Sequence, residues 1–501
     1  MTTKPIAPMI IRGEVITDHL IEVGGRGGDL AFLTPDAHRY VDRMPLGHPA
    51  RLADLYKLSF DDILDYAEAL GRQLDLASNR HLQEACELSY LTAPTTPSLV
   101  KASYMGLSRM LERGAIVEAV ESTVGIQHLE GWVPQRLRDG TELEVRCFGA
   151  RTLHIVAGNA PGLSLLTILR NMVLRSDAII KAPSNDPFTA LAIARTMIDM
   201  APEHPLTRHL SVAYWKGGDT AFEQRLYQPQ NIEKIVAWGG FASLKHVTQY
   251  VQPGLELISL DPKRSASIIG RETFASEAGM REAAIRLASD IGALNQKGCV
   301  CARVIYAQSG TDAQGIEQLN TFGRYVYEAL GQLPDSLSTA PKRYDPGLKA
   351  HVDALRLDDE WYRVIGGKDG EGAIIVSQIA EPVSFSTLLD DRTANLVPID
   401  SLDDVMDAVD AYTQTVGVYP ESLKNELKNV LPLHGAQRIV SLGYAAAMKW
   451  AGPQDAIEPL RRMGKWICNQ IASPETTPAP WLRPAVPSAV QAANEPSIQE
   501  A

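Results

Sequence analysis

From residue 152 onward the chain repeats one unit: a short apolar strand, a turn bearing glycine or proline, then an amphipathic helix. Thr152-Leu-His-Ile-Val-Ala ends at Gly158-Asn159-Ala-Pro161-Gly162, and Ser164-Leu-Leu-Thr-Ile-Leu-Arg-Asn-Met-Val-Leu follows with helical spacing. Asp177-Ala-Ile-Ile-Lys181 leads through Pro183-Ser184 into a helix from Pro187 to Met200. A strand from Leu210 to Trp215 precedes a helix near Thr220 to Tyr227. Lys234-Ile-Val-Ala-Trp ends at Gly239-Gly240, and Ser243-Leu-Lys-His begins the next helix. Parallel strands joined by helical crossovers follow from this pattern, and ligands gather at the carboxyl ends of such strands.

A second alternation starts near residue 276. Glu277 to Leu294 reads as a helix, Asn295-Gln-Lys-Gly-Cys299 as a turn and Arg303 to Ala307 as a strand. A long helix from Thr311 to Leu333 follows. Then come strands near 373–377 and 395–398, a helix from Asp403 to Tyr412, and Thr415-Val-Gly-Val-Tyr. Upstream, residues 52 to 145 read mostly as helices, with Ser59 and Asp61 as caps. The predicted fold class is α/β, with two large units and a Pro- and Ala-rich tail over 473–501 that reads as mostly disordered.

Composition excludes several functions. A net charge of -12 argues against a general nucleic-acid or anionic-membrane surface. No uninterrupted apolar run reaches about 18 residues, so no membrane span is expected. Met1-Thr-Thr-Lys-Pro leads into no signal-peptide pattern. Cys86, Cys147, Cys299, Cys301 and Cys468 are odd in number and scattered, which fits free thiols in a reducing cytoplasm. Cys299-x-Cys301 lacks a second ligand pair at zinc spacing, so no metal site is expected.

Four features can carry chemistry, and each has a bland reading beside the functional one. Cys299 lies after a glycine in a turn just before an apolar strand. It is either a buried small hydrophobe or an acyl-accepting nucleophile, and a free thiol is only a few per cent thiolate at neutral pH. Asn159 either tolerates a tight turn or donates to a developing oxyanion. Lys181 is either a solvated strand-end cation or a reach toward ribose or phosphate. Gly239 and Gly240 either make a turn or let backbone approach a pyrophosphate. Cys301, two residues beyond Cys299, is a passive neighbour or a resolving thiol.

In their order along the chain, these motifs resemble the aldehyde dehydrogenase superfamily. Within it the chain is similar to the acyl-CoA reductase (LuxC) family. The stretches carrying that likeness are Ala157-Gly-Asn-Ala-Pro-Gly-Leu-Ser-Leu-Leu, Lys181-Ala-Pro-Ser-Asn-Asp-Pro-Phe-Thr and His204-Pro-Leu-Thr-Arg-His-Leu-Ser-Val. Asn295-Gln-Lys-Gly-Cys299, Thr415-Val-Gly-Val and Leu433-His-Gly-Ala-Gln-Arg-Ile-Val complete the set, over about residues 60 to 470.

The resemblance implies an aldehyde dehydrogenase-like fold. Residues 1–275 would hold a helical region and a Rossmann-like NADP-binding domain, and 276–445 the catalytic α/β domain carrying Cys299. Residues 446–472 would return to the cofactor domain or to an oligomer interface. It implies Cys299 as the acyl-accepting nucleophile and Asn159 as the oxyanion donor. Lys181 and Ser184 match the adenosine side of the nicotinamide cofactor, Gly239 and Gly240 its pyrophosphate turn, and Glu381 the residue holding the nicotinamide ribose. The implied reaction is NADPH-dependent reduction of an acyl thioester, acyl-CoA with a fatty acyl group, to the aldehyde. Coenzyme A is then part of the substrate or product, an acyl-activating synthetase is a partner, and the chain forms a dimer or tetramer.

Two departures from the family pattern bear on mechanism. Hydrolytic aldehyde dehydrogenases carry a water-activating Glu in Glu-Leu-Gly-Gly-Lys. Here Leu257-Ile-Ser-Leu-Asp261-Pro-Lys263-Arg264-Ser puts Ser259 at that place, while a shifted alignment brings in Glu256. A missing base suits an acyl-enzyme that must survive until hydride arrives. Lys297 stands where the family shows Gln, either lowering the Cys299 pKa or facing solvent. Rival readings are a dehydrogenase making acid, an acyl-phosphate reductase, and a nucleotide-binding assembly subunit without chemistry.

Overall fold

The turns singled out above lie at the edges of two large sheets. The computed structural model describes residues 4–24, 30–138, 141–447, 449–471 and 481. The first sheet has seven strands in the order Glu256–Leu260, Lys234–Trp238, Arg151–Ile155, Asp177–Lys181, Leu210–Ala213, Met9–Ile11, Glu14–Ile16. The first five are mutually parallel, and Met9–Ile11 and Glu14–Ile16 add an antiparallel edge. From Arg151–Ile155 the chain builds outward through Asp177–Lys181 and Leu210–Ala213. It then returns to place Lys234–Trp238 on the other side. This reversal opens a crevice at the carboxyl ends of Arg151–Ile155 and Lys234–Trp238.

Alternate side chains of these strands feed two cores, because helices cover both faces. Leu153, Ile155 and Ile179 pack with Phe222, Leu244 and Val247. Ala178 and Ile180 pack with Leu165, Ile168 and Ile193 on the opposite face.

The second sheet also has seven strands: Tyr362–Gly366, Ala373–Ser377, Ala394–Pro398, Ala302–Ala307, Arg264–Ile269, Thr413–Tyr419, Arg438–Ser441. All but the antiparallel edge Tyr362–Gly366 run parallel. The chain passes from the first sheet to the second between Leu260 and Arg264, so Arg264–Ile269 belongs with the second although the division at 275 groups it with the first. A third sheet joins Lys465–Ile471 to Glu142–Phe148 and Val133–Arg136. The C-terminal segment also touches the first sheet, where Lys234 Nζ donates to the Arg462 carbonyl at 2.5 Å.

Several sequence expectations need correction. Residues 133–136 and 142–148 are strands rather than the end of a helical region. Glu142-Leu-Glu-Val-Arg-Cys-Phe alternates polar and apolar residues, a period of two that pairing with Lys465–Ile471 uses. Residues 49–57 form a 3₁₀ helix, not an α-helix. Ser59 does cap Phe60–Gln73, but its capping-box partner is Asp62, whose carboxylate accepts from Ser59 N at 2.7 Å. Asp61 instead accepts from Arg113 at 2.6 Å. Beyond Asp403–Met406 the expected helix to Tyr412 stops. The tail over 473–501 lies outside the described residues apart from Trp481. Among the described residues, no helix is long and apolar enough to cross a membrane and no cluster of metal-ligating side chains occurs.

Candidate active site

The carboxyl ends of the first sheet meet the amino ends of the second, and Cys299 stands at that junction. Helix Glu277–Gly292 stops at a tight turn before strand Ala302–Ala307. Leu294, Asn295 and Gln296 all take left-handed backbone angles, φ 53°, 53° and 65°. Non-glycine residues there cost on the order of 1 kcal/mol or more each, and persist only where surroundings impose them.

Two buried amides impose them here. Asn295 Oδ1 accepts from Thr339 N at 2.8 Å. Gln296 Nε2 donates to the Ala302 carbonyl at 2.8 Å, and its Oε1 accepts from Thr393 N at 2.9 Å. Arg303 fastens the same turn from below, donating to the carbonyls of Cys301 (3.0 Å) and Gln296 (3.2 Å). Gln296→Ala would leave two buried backbone groups without partners, an expected loss of about 3 kcal/mol in denaturant unfolding. A change below about 0.5 kcal/mol would show that the turn holds itself.

Three features surround the Cys299 thiol, which is half-buried. Gln414 Nε2 donates to Sγ at 3.2 Å and to Asp455 Oδ1 at 2.6 Å. The Cys299 carbonyl accepts from Ser265 Oγ at 2.7 Å. Across the cleft, Asn159 Nδ2 donates to the Lys297 carbonyl at 3.1 Å, while Asn159 Oδ1 is buried without a partner among the described residues. The thiol pKa is raised. Burial is the main cause and the Asp455 carboxylate adds to it, against the Gln414 hydrogen bond and the Arg303 charge.

The crevice of the first sheet lies next to this thiol. Gly158 carries no side chain because Asn185 and Pro183 press on it; an added Cβ would stand 2.2 Å from Asn185 Oδ1. Asn185 Nδ2 donates to the Gly158 carbonyl at 3.0 Å, joining the turn after Arg151–Ile155 to the turn carrying Ser184. Lys181 is half-buried with its ammonium 5.7 Å from the Trp215 ring and 6.0 Å from Tyr214. It makes no hydrogen bond or ion pair with another described residue, and burial brings its pKa down to about 8. Gly240 precedes helix Phe241–Thr248, where Phe241 is exposed. An unpaired cation, two glycine turns and a helix start around one crevice fit a dinucleotide.

Comparison with known proteins identifies the family. The family model for acyl-CoA reductase (LuxC) matches residues 55–466. The chain belongs to the acyl-CoA reductase (LuxC) family. Relatives include the long-chain acyl-protein thioester reductase of Photorhabdus laumondii, 29% identical over 73% of this chain and 72% of that protein. The enzyme of the same name from Vibrio harveyi is 25% identical over 83% of this chain and 84% of its own. Among solved structures, lactaldehyde dehydrogenase from Escherichia coli covers 94% of this chain and all of its own, with TM-score 0.69 at 14% identity. NADP-dependent glyceraldehyde-3-phosphate dehydrogenase from Bacillus halodurans gives TM-score 0.71 at 11% identity, over 94% and 99%. These likenesses give this LuxC family member the aldehyde dehydrogenase fold.

Not every residue picked from the sequence reaches this junction. Cys299, Asn159, Lys181, Ser184, Gly239 and Gly240 lie on the facing edges. Glu381 does not: it is exposed in the turn after Ala373–Ser377, beside Tyr362, at the opposite end of the sheet from Cys299. The acids brought to the Cys299 turn are Asp390 and Asp391, which hold Lys297 at 2.8 and 2.6 Å. Lys297 is therefore neutralised by carboxylates, and the charges acting on the thiol include those of Asp455, Arg303 and Arg438.

Glu256 is excluded as a water-activating base. It sits at the amino end of its strand, paired with Lys234 and Arg462 at 2.7 Å each. Cys301 is fully buried, donates to the Ala293 carbonyl at 3.1 Å, and has its pKa pushed up to about 12 by burial. It is a passive neighbour. Gln296, Gln414, Arg303 and Asp455 were not singled out from sequence. Gln296 lay inside the quoted motif, whereas Gln414 and Asp455 are 115 or more residues from Cys299 in the chain.

Proposed function

We propose that this protein reduces a fatty acyl thioester to the aldehyde, with acyl-CoA as donor, NADPH as reductant and Cys299 as the acyl-carrying group. The observation that carries the reading is the pairing across the cleft. The Asn159 amide is bonded two residues from Cys299, beside a crevice that fits a dinucleotide. The family and the long-chain thioester reductases related to the chain support the substrate class.

On this reading the Cys299 thiolate attacks the thioester carbonyl. The Asn159 amide and the Cys299 backbone N–H, which meets no carbonyl among the described residues, hold the oxyanion. The donor thiol leaves. NADPH, when bound, supplies hydride. Lys181, with an unpaired ammonium, would hold its adenosine ribose or 2′-phosphate, and Ser184 and the Gly239-Gly240 turn would line the same cradle. Ser259 occupies the place of the hydrolytic Glu, and Glu256 is tied up in ion pairs at the far end of the strand, so the acyl group is kept for reduction. An acyl-activating synthetase would supply the donor, and a homo-oligomer is the expected assembly.

The test gives purified protein NADPH with a long-chain acyl-CoA, a long-chain acyl group on a protein cysteine, or an acyl phosphate. One trapped aldehyde per NADPH oxidised is expected with the CoA thioester. Acid as the main product, or reduction of the acyl phosphate alone, would sink the reading. Lys181→Ala is expected to raise KM for NADPH about tenfold or more with kcat little changed.

A further inference from the structure

We propose that Asp455 is the acid–base group of the Cys299 thiol, held in place by Gln414, so that this carboxylate takes the thiol proton on acylation and returns one to the departing thiol. The inference rests on the thioester-reductase reading above and concerns a residue from a segment far from the cysteine in sequence.

The geometry begins with one amide. Gln414 is buried on strand Thr413–Tyr419, and its Nε2 donates to both Cys299 Sγ and Asp455 Oδ1. The nitrogen must face these two acceptors, because the amide oxygen would be repelled by the carboxylate. The two N–H bonds of a planar amide diverge by about 120°, so the sulfur and the carboxylate oxygen stand about 5 Å apart. That gap suits proton exchange through one water.

The turn carrying Asp455 is built to hold it there. Asp455 and Ala456 both take left-handed backbone angles, φ 51° and 60°. Gln454 and Ile457 close the turn with mutual backbone hydrogen bonds of 2.7 and 3.0 Å. Arg170, buried on the helix that follows the Asn159 turn, donates to Gln454 Oε1 at 3.0 Å. Two adjacent non-glycine residues in this region are a strained arrangement, which clusters at functional sites.

The charges around the pair come from every side. Arg170, Lys263 and Asp261 act on Asp455, whose carboxyl is shifted up, chiefly by burial. Asp455 and Arg303 act on the thiol, and Arg438 also feels the thiol. The upward shift of the Asp455 carboxyl makes its carboxylate a better proton acceptor than one in water.

The protons balance. Cys299–SH gives its proton to the Asp455 carboxylate, and the thiolate forms a C–S bond with the acyl carbon. The bond from that carbon to the donor sulfur breaks, and Asp455 protonates the released thiolate. Reduction later frees the aldehyde and returns Cys299 as a thiolate, so one proton per turnover enters from solvent.

The test uses full-length protein carrying Cys468→Ser, which removes the exposed thiol. Two rates are read at one pH without NADPH: alkylation of Cys299 by iodoacetamide, and the single-turnover burst of CoA from a long-chain acyl-CoA. Asp455→Asn keeps the side-chain shape and tolerates the left-handed backbone. It removes a negative charge beside the thiol, so alkylation should rise about threefold to tenfold. It also removes the proton carrier, so the burst should slow about a hundredfold or more.

Only the carrier role moves the two rates in opposite directions. Both rates falling together, both rising, or an unchanged burst would overturn it. So would steady CoA release beyond one equivalent that Asp455→Asn abolishes, because the carboxylate would then serve water. Gln414→Ala removes the link without touching the turn and should also slow the burst; a wild-type burst there overturns the proposal. If the parent protein takes no acyl group by intact mass, the functional reading fails with it. If the parent acylates and Asp455→Asn acylates equally fast, this proposal fails alone.

Discussion

Cys299→Ala should lower aldehyde formation by about four orders of magnitude or more while the protein still folds and binds NADPH. The side chain is small and half-buried, and what it loses on truncation is one sulfur hydrogen bond from Gln414. Gln414 keeps its bond to Asp455 at 2.6 Å, so its amide stays anchored and only the N–H that faced the weak sulfur acceptor loses a partner. The melting temperature should move by no more than a few degrees. Cys301→Ala is the opposite case. That thiol is fully buried beside Ala293 and Val300, and its loss leaves a small cavity. Stability should fall by about 1–2 kcal/mol with the chemistry kept. Intact-mass measurement after mixing with a long-chain acyl-CoA separates the two. An acyl adduct that survives in Cys299→Ala, on Cys301 or Cys468, would move the nucleophile elsewhere.

Most of the parallel strands were legible as short apolar runs close to a glycine or proline, but Glu256–Leu260, Arg264–Ile269 and Arg438–Ser441 were missed. Arg151–Ile155, Asp177–Lys181, Lys234–Trp238 and Ala302–Ala307 all fell where the pattern placed them. Buried parallel strands are apolar on both faces, so their signal is strong. The antiparallel additions were missed for the converse reason. Glu142–Phe148 is half-exposed and rich in charge, and its partner Lys465–Ile471 lies more than 300 residues away. Met9–Ile11 and Glu14–Ile16 are three residues each, too short for periodicity to register.

The site divided along similar lines. Asn159 and Cys299 sit in local turns whose chemistry is visible in a dozen residues. Glu381 came from the family resemblance, but the acids reaching the Cys299 turn, Asp390 and Asp391, come at the end of a loop with no regular period. Gln414 sits in an apolar strand, and nothing along that strand says which neighbour its amide meets. Strand register decides it: Thr413–Tyr419 lies next to Arg264–Ile269, whose Ser265 binds the Cys299 carbonyl. Lys297 looked like a cation for the thiol from its spacing of two. Its long side chain turned instead to two carboxylates, a choice made by tertiary contacts alone.

Asn159→Ala should lower kcat about 10²- to 10³-fold, equivalent to about 2.7–4 kcal/mol of transition-state stabilisation. Its Nδ2 already donates to the Lys297 carbonyl at 3.1 Å and has a second hydrogen to offer, so the amide is aimed at the cysteine turn before substrate arrives. The contact alone does not separate a donor from a strut between the two sheets, and a second variant does. Asn159→Asp fills the same space but accepts rather than donates when ionised, and it sets a negative charge where the oxyanion develops. A donor role requires Asp to be at least as damaging as Ala. A strut role predicts that both variants lose stability, Asp less than Ala because it keeps the volume. Single-turnover acylation, NADPH affinity and unfolding midpoints, measured on both variants, distinguish them. Asp slower than Ala, with NADPH affinity near wild type in both, is the expected pattern. An Asn159→Asp variant that acylates at the wild-type rate would take the oxyanion away from Asn159 and leave the Cys299 backbone N–H to hold it.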